Sequence, residues 1–425
     1  AFSTNLPLLQ GTINPAFKVV DLQTSFNQQL TDGLIPDGVE HLRIGYAFNQ
    51  QLVHGALPST LISLRFGESF NQLLEPSVLP QSLEQLYFGG FYNKPIGTGV
   101  LPERLCLLSL GKYYNQMIER DVLPHHLAEI IFSSFFNQPL QPDTLPTSLE
   151  RMILGAQFNQ RLAPNVLPQS LTYLEFQKGR CKYSWQFEVG VLPMGLTTLI
   201  LSATYMHPLT LDVLPIGLKH LTLSELYKRP LEPYQLPLSL ETLTFGLEYN
   251  IRIPPGALPL GLNTLILSAR NTMDIQADVL PASLTHLFMG QHYTGTIAPF
   301  ILPPGLRHLT LGQYYNEPFK KNVLPESLNT LELGHYSSSY QQHLTCLPST
   351  LEYISIPWSY RQKLLGTFLQ VTLLNSVEPL HTTLLQELQS NTKSIKITIP
   401  NFDIVTVRLL DHTHGLFLSK GLVNG

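Results

Sequence analysis

The chain has 425 residues, only 13% of them charged, with 26 Lys and Arg against 30 Asp and Glu and a net charge of −4. Soluble chains average about 25% charged residues, and gripping nucleic acid takes a basic stripe that isolated pairs such as Lys320 and Lys321 do not make. Cys106, Cys181 and Cys346 are too far apart for a disulfide framework or a zinc site, and no apolar run reaches the length of a membrane helix.

In chain order, the opening AFSTNLPLLQ lacks the charged region and apolar core of a signal peptide. With three unpaired cysteines and no Asn-x-Ser/Thr sequon, the expected location is the cytoplasm, or a particle assembled there. Residues 1–13 are expected to form an N-terminal cap.

From residue 14 to 356 one period governs everything. Phe26, Phe48, Phe70, Phe136 and Phe158, four of them followed by Asn-Gln in the same way as the first, are separated by 22, 22, 66 and 22 residues. Leu-Pro and related dipeptides place prolines at 36, 58, 80, 102, 124, 146, 168, 193, 215, 237, 259, 281, 303, 325 and 348, and 12 of these 14 intervals are 22 residues. A unit with Asn14 in the proline position precedes them, which makes 16 units.

Counted from the proline, a unit reads LPxxLxxLxFGxxFNQxLxxxV. Positions +5 to +8 alternate out and in, as in a strand with one buried face. Identical units then stack in parallel register about 4.8 Å apart. Gly or Ser at +9 is expected to serve a corner that needs close approach and unusual backbone angles. Proline sits at the other corner, where no ladder hydrogen bond is needed. The aromatic at +12 is expected to stack as an interior spine. Asn at +13, present as Asn27, Asn49, Asn71, Asn93, Asn115, Asn137, Asn159, Asn250 and Asn316, is expected to be buried in a turn and to satisfy backbone groups of its own and the next coil as a structural ladder.

The stretches Leu61 to Ser82 and, less strictly, Leu149 to Ser170 carry LxxLxFGxxFNQxLxxxVLPxS. This pattern resembles the FNIP class of leucine-rich repeats, found in amoeboid protists and in large DNA viruses of protists. The resemblance implies a β-rich leucine-rich-repeat solenoid of 16 coils with a parallel sheet on its concave side, used for protein–protein interaction. It also implies an F-box partnership with a ubiquitin ligase in some members, for which no helical segment precedes residue 14.

Two places depart from the pattern. The unit starting at Pro168 is longer by three residues and reads QKGRCKYSWQFEVG over 177–190, without FNQ; the next two units carry Met206 and Lys228 in place of the Asn. Arg180, Lys182, Tyr183 and Trp185 in this bulge are interface-rich residue types and candidate partner contacts. The second departure, SSSYQQ at 337–342, reads as a polar loop.

The outward column at +5 includes Tyr173, His220, His286, His308 and Tyr353, with Phe288 at +7. This weakly charged face is the other candidate for a protein partner. His286 and His308 are expected neighbours with no third metal ligand beside them, and Asp411, His412 and His414 share one short loop, so neither set is read as a metal site. No catalytic constellation or phosphate-binding glycine loop stands out. No catalytic residue, cofactor or metal is assigned.

Residues 357–425 are expected to form a small α/β cap. TTLLQELQ at 382–389 reads as a helix, and IKITI and DIVTV read as two strands whose edges would allow self-association. The functional expectation is a non-enzymatic protein-binding scaffold. The alternatives are a structural component of a larger assembly such as a virus particle, and the substrate-recognition part of a ubiquitin ligase.

Overall fold

The computed structural model describes residues 8–177, 181–210, 212–334, 340–357 and 360, and the backbone of four further strands between 370 and 419. The chain divides into two compact units, the first made of residues 1–208 and 212–218, the second of 209–211 and 219–425.

The first unit holds β1 (Val19–Asp21), β2 (His41–Arg43), β3 (Ser63–Arg65), β4 (Gln85–Tyr87), β5 (Leu107–Ser109), β6 (Glu129–Ile131), β7 (Arg151–Leu154), β8 (Tyr173–Phe176) and β9 (Thr198–Ile200). Each pairs in parallel with the next, with Val20 opposite Leu42, Leu42 opposite Leu64 and so on at steps of 22 residues. The long unit keeps this register: Leu174 faces Leu199 across a step of 25, so the extra residues are absorbed outside the sheet.

The second unit holds β10 (His220–Thr222), β11 (Thr242–Thr244), β12 (Thr264–Ile266), β13 (His286–Phe288), β14 (His308–Leu311), β15 (Thr330–Leu333) and β16 (Tyr353–Pro357) in the same parallel arrangement. The 16 strands expected from the period are therefore present. No helix occurs among the described residues.

Beyond them come β17 (Gln370–Leu374), β18 (Ser394–Thr398), β19 (Val405–Leu409) and β20 (Gly415–Ser419). The first two continue the parallel sheet, while β19 and β20 run antiparallel. This corrects the expected free edges. β18, which carries IKIT, is paired on both sides by β17 and β19, and β19 is paired by β18 and β20. Among the described residues β20 pairs only with β19, as β1 at the other end pairs only with β2. The expected helix at 382–389 lies outside the described residues.

The core follows from the repeat. The middle residue of each strand is sealed, Leu64, Leu86, Leu108 and Leu243 being fully buried, as are the +3 leucines Leu61, Leu83 and Leu105. Each corner proline's carbonyl accepts the N–H of the aliphatic residue three places on, as in Leu61 N to Pro58 O at 3.2 Å and Leu105 N to Pro102 O at 3.0 Å, closing a tight corner.

Rings at +12 stack through the interior. In the first unit centroids are 5.9 Å apart for Phe48–Phe70 and Phe70–Tyr92, and 6.2 Å for Phe136–Phe158; in the second, 6.2 Å for Tyr293–Tyr315 and Tyr315–Tyr340. The spine has one break in the second unit, where buried Asn271 replaces the ring. A cavity of about 20 Å³ remains there among Ile251, Ile253, Leu265, Leu267 and Met273, room for a single water.

The glycines at +9 are required by close approach. A Cβ on Gly67 would stand 1.9 Å from the carbonyl oxygen of Gly45, and one on Gly89 would stand 1.8 Å from that of Gly67. Of these glycines only Gly334 has the positive φ that unusual backbone angles would need; for the others that expectation is corrected, since most φ values above zero lie at another corner. Where serine replaces glycine its hydroxyl is turned to use, as Ser133 Oγ donates to Tyr114 O at 2.5 Å and Ser268 Oγ to Leu247 O at 2.6 Å.

Candidate interaction surface

The +13 asparagines form a ladder by one repeated bond. Asn27 Oδ1 accepts the N–H of Asn49 at 2.8 Å, Asn49 that of Asn71 at 2.9 Å, and Asn71 that of Asn93 at 3.0 Å. The ladder continues through Asn115, Asn137 and Asn159 at 2.9 Å each, and Asn159 Oδ1 accepts from Ser184 N at 3.1 Å. In the second unit Asn250 accepts from Thr272 N at 3.0 Å and Asn316 from Gln341 N at 2.9 Å. The expectation of burial is corrected: Asn27, Asn49, Asn93, Asn250 and Asn316 are exposed, and Asn71, Asn115, Asn137 and Asn159 half-buried. The carboxamide spans two coils from outside because the ring at +12 already fills the interior.

The following Gln adds a second strap. Its Nε2 donates to the backbone carbonyl of the Asn one turn back, as in Gln72 to Asn49 at 3.0 Å and Gln160 to Asn137 at 3.1 Å. This explains the bulge. Trp185 Nε1 donates to Asn159 O at 2.9 Å, and a ring nitrogen of His207 lies 2.7 Å from Ser184 O. Tyr183-Ser184-Trp185 thus stands in the FNQ register, displaced by three residues. In the same way Tyr340 rejoins the spine after the second departure, whose residues 335–339 lie outside the described residues.

Of the bulge candidates, Arg180 lies outside the described residues. Lys182 is exposed, and Trp185 is 47% exposed despite its strap. Tyr183 is corrected: it is buried, stacked 6.1 Å from Phe158 in the spine, and presents nothing to a partner. Burial also pushes the neighbouring Cys181 thiol up to about 11, which leaves it protonated and unreactive.

The outward sheet face differs between the units. In the first, Arg151 is held from two sides, its Nε 3.0 Å from Glu129 Oε1 and its guanidinium 3.6 Å from the Tyr173 ring. The Tyr173 hydroxyl donates to Glu175 Oε2 at 2.6 Å; burial, then this hydrogen bond, raise its pKa. In the second unit the face is milder. His286 and His308 stack with centroids 4.2 Å apart and planes 8° from parallel, and Phe288 lies half-buried opposite Thr310. Burial, then the His308 and Arg307 charges, hold the His286 pKa below its ordinary value. His220 begins β10, exposed, and Tyr353 begins β16, half-buried. The structure thus brings His286, His308 and Phe288 together and leaves Tyr173 in the other unit.

Two repeated features escaped the sequence reading. Ser or Thr at +2 donates to the carbonyl of the +3 leucine one turn back, as in Ser82 to Leu61 at 2.6 Å and Ser170 to Leu149 at 2.7 Å. Phe91, Tyr113 and Phe135, at +11, form an exposed stack beside the ladder, with centroids 5.4 and 4.9 Å apart. Both recur at the 22-residue period and were open to the same alignment. Among the described residues no three His, Cys, Asp or Glu side chains are grouped to hold a metal, and Asp411, His412 and His414 lie outside them.

Short parallel strands, buried leucines and an outer amide ladder define a leucine-rich-repeat solenoid. The FNIP repeat model matches eight stretches, 26–69, 48–91, 92–135, 136–179, 183–226, 205–248, 249–292 and 296–336, and the chain belongs to that family. The solved structure described as "CroV588 a novel circular LRR protein" is 30% identical, with a TM-score of 0.77 over 95% of this chain. This chain spans 63% of that one. A leucine-rich-repeat protein from Bacteroides ovatus also matches, at 14% identity and a TM-score of 0.13, over 92% of this chain and 85% of its own. No curated protein matches significantly.

Proposed function

We propose that this chain is a non-enzymatic scaffold that binds another protein through its outward solenoid surface. One observation carries the reading: inward positions hardly change from turn to turn, whereas the outward ones change at most steps, Thr242 to Thr264 and His286 to His308 being the exceptions among the residues that open the strands. The buried strand centre is Leu in β2, β3, β4 and β5, while the residues before it are His41, Ser63, Gln85 and Leu107. A repeated core with a varied face is how a solenoid stores a recognition surface. His286, His308 and Phe288 in the second unit are the favoured contacts, because a weakly charged half-buried patch desolvates cheaply. The three free cysteines support a reducing compartment.

A second reading, a building block of a larger assembly, is favoured by the edge of β20, which pairs only with β19 among the described residues. Affinity purification from the native source decides between them. Substoichiometric soluble partners lost on Phe288→Glu support the scaffold. Stoichiometric recovery with an abundant particle, unaffected by Phe288→Glu, supports the building block.

A further inference from the structure

Three residues before the proline of most turns, the backbone enters the left-handed region. Gly33, Gly55, Gly99, Gly190 and Gly256 occupy this corner, as do Asp121, Asp143, Asn165, Asp278 and Asn322, all with φ between 61° and 83°. Glycine, Asn and Asp tolerate such angles; bulky side chains do not. Tyr234 and Phe300 nevertheless stand there, at φ 64° and 66°. Neither ring is used in the core, for they are 75% and 79% exposed. A strained backbone that puts an aromatic ring in water gains nothing for folding, and strain of this kind is kept at sites of contact.

The residue after the proline tells the same story. In seven turns of the first unit it is polar, Asp37, Ser59, Gln81, Glu103, His125, Thr147 and Gln169, and in its last two it is the exposed Met194 and Ile216. On four consecutive turns of the second unit it is Leu238, Leu260, Ala282 and Pro304, all exposed, the leucines at 71% and 80%. Tyr234, Leu238, Leu260 and Phe300 together leave on the order of 700 Å² of side chain in water. That exceeds the few hundred Å² a monomer usually exposes in one patch and approaches the ~800 Å² per side of a specific complex.

The order of these residues is self-complementary. The four corners read Tyr234, Gly256, Asp278, Phe300, and the positions beyond the proline read Leu238, Leu260, Ala282, Pro304. A two-fold axis through the middle sets the first turn against the fourth and the second against the third. Aromatic then meets aromatic, large Leu260 meets small Ala282, and Leu238 meets Pro304. Asp278 meets Gly256, so no like charges are opposed. A cleft of about 700 Å³ beside Phe300, lined by Leu302, Pro304, Val323, Leu324 and Leu347, gives the ring of the opposing Tyr234 room to enter. We infer that the proline-corner ridge of the second unit, from Tyr234 to Pro304, is the contact by which two copies of this chain form an isologous dimer.

The test is sedimentation equilibrium of the full chain, wild type against Phe300→Asp and Tyr234→Asn. Both substitutions install residue types that the corner accepts elsewhere, so folding is preserved. The expected result is a dimer in the wild type, weakened at least about tenfold in each variant, with melting temperature unchanged or raised. Mixing Leu260→Cys with Ala282→Cys copies is expected to give a disulfide between them faster than either variant alone. A wild type that stays monomeric through the micromolar range overturns the inference, and so does a dimer that both variants leave intact. So does a monomer whose ridge variants lose binding to lipid vesicles or to another protein. The dimer is expected whether or not a further partner binds, so its failure leaves the scaffold reading standing.

Discussion

The side-chain oxygen of Asn71 accepts the backbone N–H of Asn93, one turn on and 3.0 Å away, while the N–H of Asn71 is bound in the same way by Asn49. Each amide therefore fixes the spacing of two coils. Asn71→Ala is expected to lose about 0.5 to 1.5 kcal/mol in urea unfolding, the range for a hydrogen bond at a half-exposed site. A loss well above 3 kcal/mol would mean that the carboxamide is buried after all.

The glycine corner is less forgiving. Gly89→Ala places a Cβ 1.8 Å from a backbone oxygen that cannot swing aside, and should cost about 3 kcal/mol or more. Gly97→Ala is the control, since its Cβ would meet nothing nearer than Val100 Cγ2 at 3.9 Å; it should change stability by under about 0.5 kcal/mol. Equal effects of the two would contradict the close approach of successive coils.

The stacked histidines set a pH dependence. The His286 pKa is depressed in the folded chain, so the neutral ring contributes stability above its ordinary value of about 6.5, and that contribution is lost as the pH falls through the depressed value. Melting temperature should fall on acidification through this range, and His308→Gln should flatten the fall by removing the facing charge. A variant profile parallel to wild type would show that the pair does not act as a unit.

The spine titrates in the opposite direction. Burial raises the tyrosines of the spine, Tyr249 and Tyr360 to about 12 and Tyr92, Tyr114 and Tyr315 further. Their protonated forms contribute stability that is complete below about pH 10 and lost as the pH rises through the raised values. Tyrosinate absorbance should appear in two phases, exposed rings first and the spine only with unfolding. A single smooth phase near pH 10 would place the rings in water.

How far the sequence could be read depends on what repeats. Inward positions recur every 22 residues because each coil must match the one below it, and so the strands, the leucine core and the spine were all legible. The bulge was not. Tyr183-Ser184-Trp185 shares no letter with FNQ, yet a ring, a backbone N–H and a side-chain N–H are all that the three places require. Tyr183 was misread as a contact because an interface tyrosine and a spine tyrosine look alike in sequence. The asparagines were misplaced inward because a polar group bridging two backbones works equally well at the surface. The strained corner at Tyr234 and Phe300 was hidden for a plainer reason: φ is not visible in residue names when the usual Gly, Asp or Asn is absent.

The central claim is that the outward surface exists to bind another protein. Cross-linking mass spectrometry in native source material tests it most directly, with exposed lysines on both units, such as Lys112, Lys182 and Lys219, as reporters. The account predicts recurrent links from these lysines to a second kind of polypeptide. Links confined to the chain itself and to copies of it would contradict the account.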